Sequence, residues 1–299
     1  MTGRTGLVVA AYGRRGLLEA DGTRWPFIPK GRGLRVVCGD RVRFEARPGS
    51  EVALVTRIEP RSNALARLQE DSRRGEVIAA NITQLVAVCA PLPAPEPLLL
   101  DRHACTAELL GCRFLLAWNK SDLGDQPASS VAELAGLGYP LVVASTREGC
   151  GLDELARQLA GQTSVLVGQS GVGKSSIINA LFPGAGATVG GLSTGTAMGT
   201  HTTTAVLMYA SDSTTRLLDT PGVRDFTPAL PGGQRLDQGF REMYALAAGC
   251  RFGDCRHLHE PGCAVKAALA GGQLSARRYD SYCRLLAALA TAAQRPVGR

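Results

Sequence analysis

No stretch of this 299-residue chain approaches the roughly 18 consecutive apolar residues that a membrane-spanning helix needs. The opening Met1-Thr2-Gly3-Arg4-Thr5 lacks the charged-then-apolar layout and small-residue cleavage site of a secretory signal. Both absences point to a cytoplasmic protein. No internal repeat is visible. The nine cysteines make an odd count, and six of them (Cys38, Cys89, Cys105, Cys112, Cys150 and Cys283) sit in apolar or helical surroundings. That pattern argues against a disulfide framework and for small buried hydrophobes of a reducing compartment. The remaining three, Cys250, Cys255 and Cys263, crowd together beside two histidines and need another explanation.

Apolar residues make up 45% of the chain, enough for two or three small domains to bury a core each. Charge is uneven. Residues 1–75 carry an excess of seven positive charges, 76–249 an excess of five negative, and 250–299 an excess of five positive. Basic ends around an acidic middle suggest a polyanionic partner, because cationic contacts to phosphates release counterions and drive association.

The first 70 or so residues read as short strands punctuated by turn signals, over 7–12, 17–20, 35–38, 41–46 and 51–58, with a hairpin pair at Asp21-Gly22. Five strands predict a small barrel of the oligonucleotide-binding (OB) type. Trp25, Phe27 and Phe44 are candidates either for base stacking or, more simply, for the barrel core. From residue 82 apolar strands (84–90, 113–118, 140–144, 164–167, 205–209, 216–218) alternate with helical stretches (98–110, 152–159, 175–181), which predicts an open α/β sheet with ligand loops at the strands' carboxyl ends. After Gly222 the pattern turns helical, notably over 263–269 and 276–292. The expected fold is therefore multidomain α/β: an OB barrel over 1–72, a P-loop nucleotide domain over 75–232 and a helical zinc-binding domain over 233–299.

The strand at 164–167 runs into Gly168-Gln169-Ser170-Gly171-Val172-Gly173-Lys174-Ser175-Ser176, a phosphate-binding loop between strand and helix. Glycines let several backbone N–H groups converge on phosphate oxygens at a helix N-terminus. Lys174 is placed for the β- and γ-phosphates and the Ser175 hydroxyl for Mg²⁺. Asp219-Thr220-Pro221-Gly222 follows another strand; its Asp219 can serve the metal and the Gly222 N–H the γ-phosphate. Base identity falls to Asn119-Lys120-Ser121-Asp122. The Asp122 carboxylate matches the two adjacent donors of guanine, which adenine lacks. Ser145, at the end of a further strand, can support the base oxygen.

The order of these loops is unusual. Base recognition precedes the phosphate loop, whereas common GTPases have the reverse, so the domain reads as circularly permuted. The Gly/Thr-rich stretch from Gly184 to Thr204 reads as a switch loop, with Thr203 a candidate Mg²⁺ ligand. Val223 stands where many GTPases carry a water-orienting glutamine, which makes His201 the candidate catalytic helper.

The last third contains Cys250, Cys255, His257 and Cys263 in a C-x4-C-x-H-x5-C pattern. Three thiolates and an imidazole make a closed tetrahedral shell for one structural Zn²⁺, which would staple a region too small for a large core. His259 is the alternate fourth ligand, and Cys283 a less fitting substitute.

The permuted loops, Asp-Thr-Pro-Gly, Gly-x-His-Thr-Thr, the Cys255-to-Cys263 stretch, Arg278-Tyr279-x-x-Tyr282, and the segments 61–67 and 80–82 together resemble the RsgA (YjeQ) family of small-ribosomal-subunit biogenesis GTPases over nearly the whole chain. One departure is Thr200, where that family usually has Arg or Lys before the histidine. The resemblance implies an OB barrel, a permuted GTPase domain and a zinc domain. It also implies GTP hydrolysis stimulated by the small ribosomal subunit during its late maturation, with rRNA contacts and release coupled to hydrolysis. It places guanine binding on Asn119, Lys120 and Asp122, phosphate binding on 168–176, zinc on Cys250, Cys255, His257 and Cys263, and hydrolysis on His201. The expected partners are the small subunit with its rRNA, and GTP or GDP with Mg²⁺. The chain is expected to be a monomer that engages neither membrane nor DNA.

Overall fold

In a computed structural model of the chain, residues 3–46, 49–68, 75–123, 126–183, 206–212, 214–220 and 234–294 are described. The first five strands are β1 (Arg4–Tyr12), β2 (Arg15–Ala20), β3 (Thr23–Pro29), β4 (Arg41–Ala46) and β5 (Ala53–Ile58). They follow the order β1-β2-β3-β5-β4, and β4 closes back on β1 through pairs such as Arg4↔Phe44 and Leu7↔Arg41. β3 runs parallel to β5 and all other neighbours are antiparallel. This is a closed five-stranded barrel of OB order. Strict alternation of exposed and buried residues along β4 sends Val42 and Phe44 inward to Val8, Leu18, Phe27 and Val55. Full burial of each such side chain contributes about 1.5–3 kcal/mol.

Two details differ from the sequence reading. Segment 35–38 is not a strand: Cys38 makes one isolated bridge to Ala79. The fifth barrel strand is instead β3, whose Pro26 and Pro29 argue against a strand by composition. Phe27 and Phe44 lie in the core. Trp25 packs against Phe44 with the Arg4 guanidinium 5.2 Å from its ring centre, so these aromatics build the barrel.

A hairpin of β6 (Ala64–Leu68) and β7 (Gly75–Ala80) leads out of the barrel. Side chains that mimic backbone hold the junction. Asn81 accepts from the Ser62 N–H at 2.8 Å and donates to the Gly39 carbonyl at 2.9 Å. Asn63 exchanges bonds of 2.8 and 3.0 Å with the backbone of Ile82. Asp40, fully buried, takes two bonds from Arg61 at 2.7 and 2.9 Å.

Strands β8 (Gln84–Cys89), β9 (Arg113–Trp118), β10 (Leu141–Val143), β11 (Thr163–Val167), β12 (Val206–Ala210) and β13 (Arg216–Asp219) form a sheet ordered β10-β9-β8-β11-β13-β12. All run parallel except β12. β12 also pairs with β1 (Ala10↔Leu207), so the sheet passes without a break into the barrel. Every residue of β8 is buried, as a central parallel strand covered on both faces requires. Helices α1 (Pro97–Leu110) and α2 (Ser129–Gly136) cover one face, packing on Leu85, Ala87 and Cys89. Helices α3 (Leu152–Leu159) and α4 (Lys174–Leu181) cover the other, on Val86 and Val88. The helices after β8 and β11 thus leave on opposite faces, which opens a crevice at the carboxyl ends of these two neighbours.

The C-terminal region consists of a 3-10 turn at Leu236–Gly239 and helices α5 (Arg241–Ala247), α6 (Ala264–Ala270) and α7 (Ala276–Gln294). Its core of Leu236, Phe240, Met243, Val265, Tyr282 and Leu285 incorporates Cys105 and Leu109 from α1. Helix α1 is therefore buried on two sides, by the sheet and by this region. A charge cluster fastens the contact. Arg278, 1% exposed, bridges Asp101 at 2.9 Å and Glu242 at 2.7 Å, and Arg277 bridges Asp101 and Glu133 at 2.6 Å each. Burial works against the charge of Arg278, but the Glu242 and Asp101 carboxylates raise its pKa above the usual arginine value. Among the described residues no helix is long and apolar enough to cross a membrane.

Candidate functional site

The crevice between β8 and β11 gathers loops that are far apart in the chain. The loop after β11 starts at Gly168, and helix α4 begins after Gly173. Both glycines have left-handed φ, 133° and 97°, and both are closely approached. A Cβ on Gly168 would lie 2.3 Å from the Val88 carbonyl oxygen, and one on Gly173 would lie 2.2 Å from Asn119 Nδ2. No other residue type fits either place. Within the loop the Lys174 ammonium donates to the carbonyls of Gly168 and Gln169 at 2.7 and 2.6 Å. Ser170, Gly171, Val172, Ser175 and Ser176 complete the turn into α4.

Asn119, fully buried at the end of β9, joins three loops. Its Nδ2 donates to the Val172 carbonyl at 3.0 Å, its Oδ1 accepts from the Thr146 N–H at 3.3 Å, and its own N–H donates to the Cys89 carbonyl at 2.8 Å. The Asn119–Asp122 loop is thereby tied to the Gly168–Ser176 loop across 53 positions of sequence. Asp122 lies in the next turn, Ser121–Leu123, with Ser145 donating to its Oδ1 at 2.6 Å. That hydroxyl lowers the Asp122 pKa below the usual carboxylate range, with smaller help from Arg147 and Lys120. Asp122 is ionised at neutral pH and accepts hydrogen bonds only. Lys120, at φ 61°, sends its ammonium to the Leu92 carbonyl at 3.0 Å. The Ser121 N–H donates to the Ala144 carbonyl at 3.1 Å.

Asp219 ends β13, next to β11. Burial raises its pKa while the Lys174 charge lowers it, so the ammonium and carboxylate sense one another across the crevice. Gly222, Thr203 and His201 lie outside the described residues, as does the whole switch stretch from Gly184 to Thr204. His103 on α1 was not singled out from sequence. It lines a narrow cleft with Gly168 and Gln169, and burial, with the charges of Arg102 and Lys174, pushes its pKa down to about 3. It is a neutral imidazole beside the phosphate loop. A histidine inside an apolar helix gives no signal of that placement.

The second cluster is the C-terminal one. Sulfur or nitrogen atoms of Cys250, Cys255, His257 and Cys263 all lie within 4.8 Å of one another. Cys250 Sγ and Cys263 Sγ are 3.9 Å apart, and His257 Nδ1 is 3.6 and 3.5 Å from them. A tetrahedral Zn²⁺ shell has S···S edges of roughly 3.8 Å and S···N edges of roughly 3.5 Å. The four side chains fit one Zn²⁺ with no coordination position left open. His259 is exposed and Cys283 lies on α7, so neither is a ligand.

Three supports were not read from the sequence. The other ring nitrogen of His257 faces Asp237 Oδ2 at 3.3 Å, fixing the ring as metal-bound histidines require. The Glu260 carboxylate accepts from the N–H groups of Arg256, Leu258 and His259 at 2.9–3.0 Å, bonds that draw its pKa down to about 2. Tyr279 and Tyr282 donate to the His257 and Arg256 carbonyls at 2.6 and 2.8 Å. Of the six scattered cysteines, Cys38, Cys89, Cys105 and Cys112 are buried as expected, Cys283 is partly buried, and Cys150 is exposed.

Comparison with known proteins agrees with this geometry. The RsgA GTPase family pattern matches residues 58–228. The small ribosomal subunit biogenesis GTPase RsgA of Ectopseudomonas mendocina is 39% identical, over 96% of this chain and 86% of that one. The protein of the same description from Azotobacter vinelandii is also 39% identical, with the same coverage. Among solved structures, YjeQ from Thermotoga maritima superposes with a TM-score of 0.72 at 26% identity, covering 98% of this chain and 99% of that one. YloQ, described as a circularly permuted GTPase, gives 0.64 at 22% identity over 99% and 97%, a likeness of fold. With a barrel, a permuted nucleotide crevice and a Cys3His cluster in one chain, and relatives matched along nearly its full length, this protein belongs to the RsgA GTPase family.

Proposed function

We propose that the chain hydrolyses GTP while bound to the small ribosomal subunit, late in that subunit's maturation, and leaves when hydrolysis is complete. The observation that carries the nucleotide part is the Asn119 bridge from the base-recognition loop to the Val172 carbonyl. It ties the loop that carries Asp122 to the loop that carries Lys174, which supports a reading with a purine on the first and phosphates on the second.

The residues divide the work as follows. Asp122, held ionised by Ser145, accepts from guanine N1–H and N2–H₂, and Lys120 and Ser121 line the ring. Backbone N–H groups of 168–176 surround the β-phosphate at the start of α4, and Lys174 turns from its carbonyl partners to the β/γ oxygens. The Ser175 hydroxyl, Asp219 and Thr203 would hold Mg²⁺. Bound there, Mg²⁺ would neutralise charge developing on the β/γ oxygens. The Gly222 N–H meets the γ-phosphate, and His201 orients the attacking water, since Val223 cannot.

The division into 1–72, 75–232 and 233–299 follows the same reading: the two basic ends contact rRNA and the middle binds nucleotide. The protein works in the cytoplasm as a monomer, on RNA and not on DNA. The deciding experiment is GTP turnover with and without purified small subunits. A marked stimulation is expected, and equal rates would remove the ribosomal part of the reading. Asp122→Asn should shift preference from GTP toward xanthosine triphosphate, and an unchanged preference would remove the guanine assignment.

A further inference from the structure

Every second residue from 91 to 97 is a proline, in the run Pro91-Leu92-Pro93-Ala94-Pro95-Glu96-Pro97. The run carries the chain from β8 into α1, and none of its residues belongs to the nucleotide or zinc motifs. Each proline fixes its own φ and restricts the residue before it, so Leu92, with a proline on either side, sits on a stiff backbone. Leu92 is also 66% exposed, the largest fraction among the large apolar side chains described. A single exposed leucine means little by itself. Its surroundings decide what it does.

Contacts with the crevice loops fix the path of the run. The Lys120 ammonium donates to the Leu92 carbonyl at 3.0 Å, so Leu92 stands at the tip of the lysine that follows Asn119. One residue on, Pro93 Cδ lies 3.7 Å from the point where a β-carbon on Gly171 would stand. Pro95 and Glu96 then line the narrow cleft that Gly168 and Gln169 share with His103. The run therefore follows the phosphate loop backwards, from Gly171 toward Gly168, and its Leu92 end is the one at the Asn119–Asp122 loop. Leu92 lies at the seam of the two loops, and the four-carbon stem of Lys120 reaches to the same place. A nucleotide with its base on the first loop and its phosphates on the second has its ribose at that seam. Ribose and purine present C–H and ring faces there, surfaces that gain from leaving water against an apolar neighbour.

We propose that Leu92 is a nucleoside-binding residue, its side chain packed on the ribose and the adjoining edge of the purine beside the stem of Lys120. The inference rests on the reading that this crevice takes a guanine nucleotide, and adds to it an apolar contact between the base and phosphate positions. The contact ignores both the γ-phosphate and the identity of the purine, so GTP and GDP gain from it equally. The prolines matter because a leucine held on a stiff run loses little freedom when a ligand covers it.

The test uses the full chain with Mg²⁺ and GDP. Leu92→Ala should weaken GDP about fivefold, as expected when part of a leucine is covered by ligand. Leu92→Met keeps an apolar cover and should stay within about twofold of wild type. Val52→Ala, which trims a 42% exposed side chain on the barrel, is the control and should bind GDP as wild type does. The Lys120 bond goes to the main chain of Leu92 and survives in each variant, so urea midpoints should coincide. The KM for GTP should rise in Leu92→Ala by more than kcat falls. The direct readout is NMR on a chain with isotope-labelled leucine methyls: the signal missing from Leu92→Ala should show nuclear Overhauser contacts to ribose protons of bound GDP. Wild-type GDP affinity in Leu92→Ala, or no such contacts in GDP-saturated wild type, would overturn the proposal. Normal GDP affinity with stimulation by small subunits lost would overturn it too, by assigning the side chain to the ribosome. A wild-type chain that binds no GDP would instead remove the guanine-nucleotide reading itself, and this inference with it.

Discussion

The two ends of the molecule are attached to the central sheet by opposite means. The barrel closes on itself with backbone hydrogen bonds around an apolar core, and is joined to the sheet mainly by strand pairing and by amide side chains acting as backbone, Asn63 and Asn81, beside a single ion pair, Arg61 with Asp40. The C-terminal region has a thin core that borrows residues from α1. Its long 250–263 loop is shaped by four metal-ligating side chains, and its docking runs through buried ions, Arg278 with Asp101 and Glu242. Neutral hydrogen-bonded contacts give up about 1–3 kcal/mol when one buried partner is lost. Buried ions and metal shells give up much more, because what remains is a charge without its counterpart.

Removing zinc with a chelator, or making Cys255→Ser, is the strongest challenge to that contrast. Structural zinc is worth on the order of 10 kcal/mol, so residues 234–294 should lose hydrogen-exchange protection while the barrel keeps its own. Simultaneous loss in both would mean that the ends are not independent. Next in size, Arg278→Leu strands Glu242 in the interface and leaves Asp101 with Arg277 alone, and should cost about 3–5 kcal/mol in denaturant unfolding. A loss below about 1 kcal/mol would make the cluster a surface-like pair. At the barrel junction, Asn81→Ala removes three side-chain bonds and keeps a β-carbon at φ 56° without the amide that favours asparagine in that conformation; a cost of about 1–3 kcal/mol is expected. Asn81→Gly should recover part of it, and equal losses for the two would shift the explanation from backbone conformation to the bonds alone.

The smallest effect concerns α1, the helix that both the sheet and the C-terminal region share. His103 has its folded pKa depressed to about 3, against about 6.5 in an unfolded chain. Between these values the unfolded state binds the extra proton, so stability falls as pH drops from about 6.5 toward about 3. The slope is at most about 1.4 kcal/mol per pH unit. Urea midpoints at pH 7 and 5.5 should therefore converge in His103→Gln relative to wild type, and parallel profiles would count against a buried neutral imidazole.

What could be read from sequence follows from how local each signal is. The phosphate loop, the Asn119–Asp122 turn and the Cys3His spacing each lie within a few residues, and their chemistry dictates residue type position by position. β9 and α3 have the ranges expected of them because their apolar pattern and punctuation agree. β3 was missed because Pro26 and Pro29 break the composition of a strand while sitting where the barrel tolerates them, and 35–38 was over-read because an apolar run need not pair. The α1 interface was illegible for a different reason: Asp101 and Arg278 are 177 positions apart, and neither has a local feature that names the other. Asp237, behind His257, was hidden in the same way across 20 positions.

The pairing of β1 with β12 has a consequence for any attempt to work with fragments. β12 is the outermost strand of the nucleotide sheet, and among the described residues its far side is paired by the barrel alone. Cutting the chain after the barrel would leave Val206 and Leu207 facing solvent along a row of unpaired amides, an invitation to self-association. The first domain is therefore also a lid on a sticky margin, and a truncated GTPase unit should be expected to clump before it can be assayed.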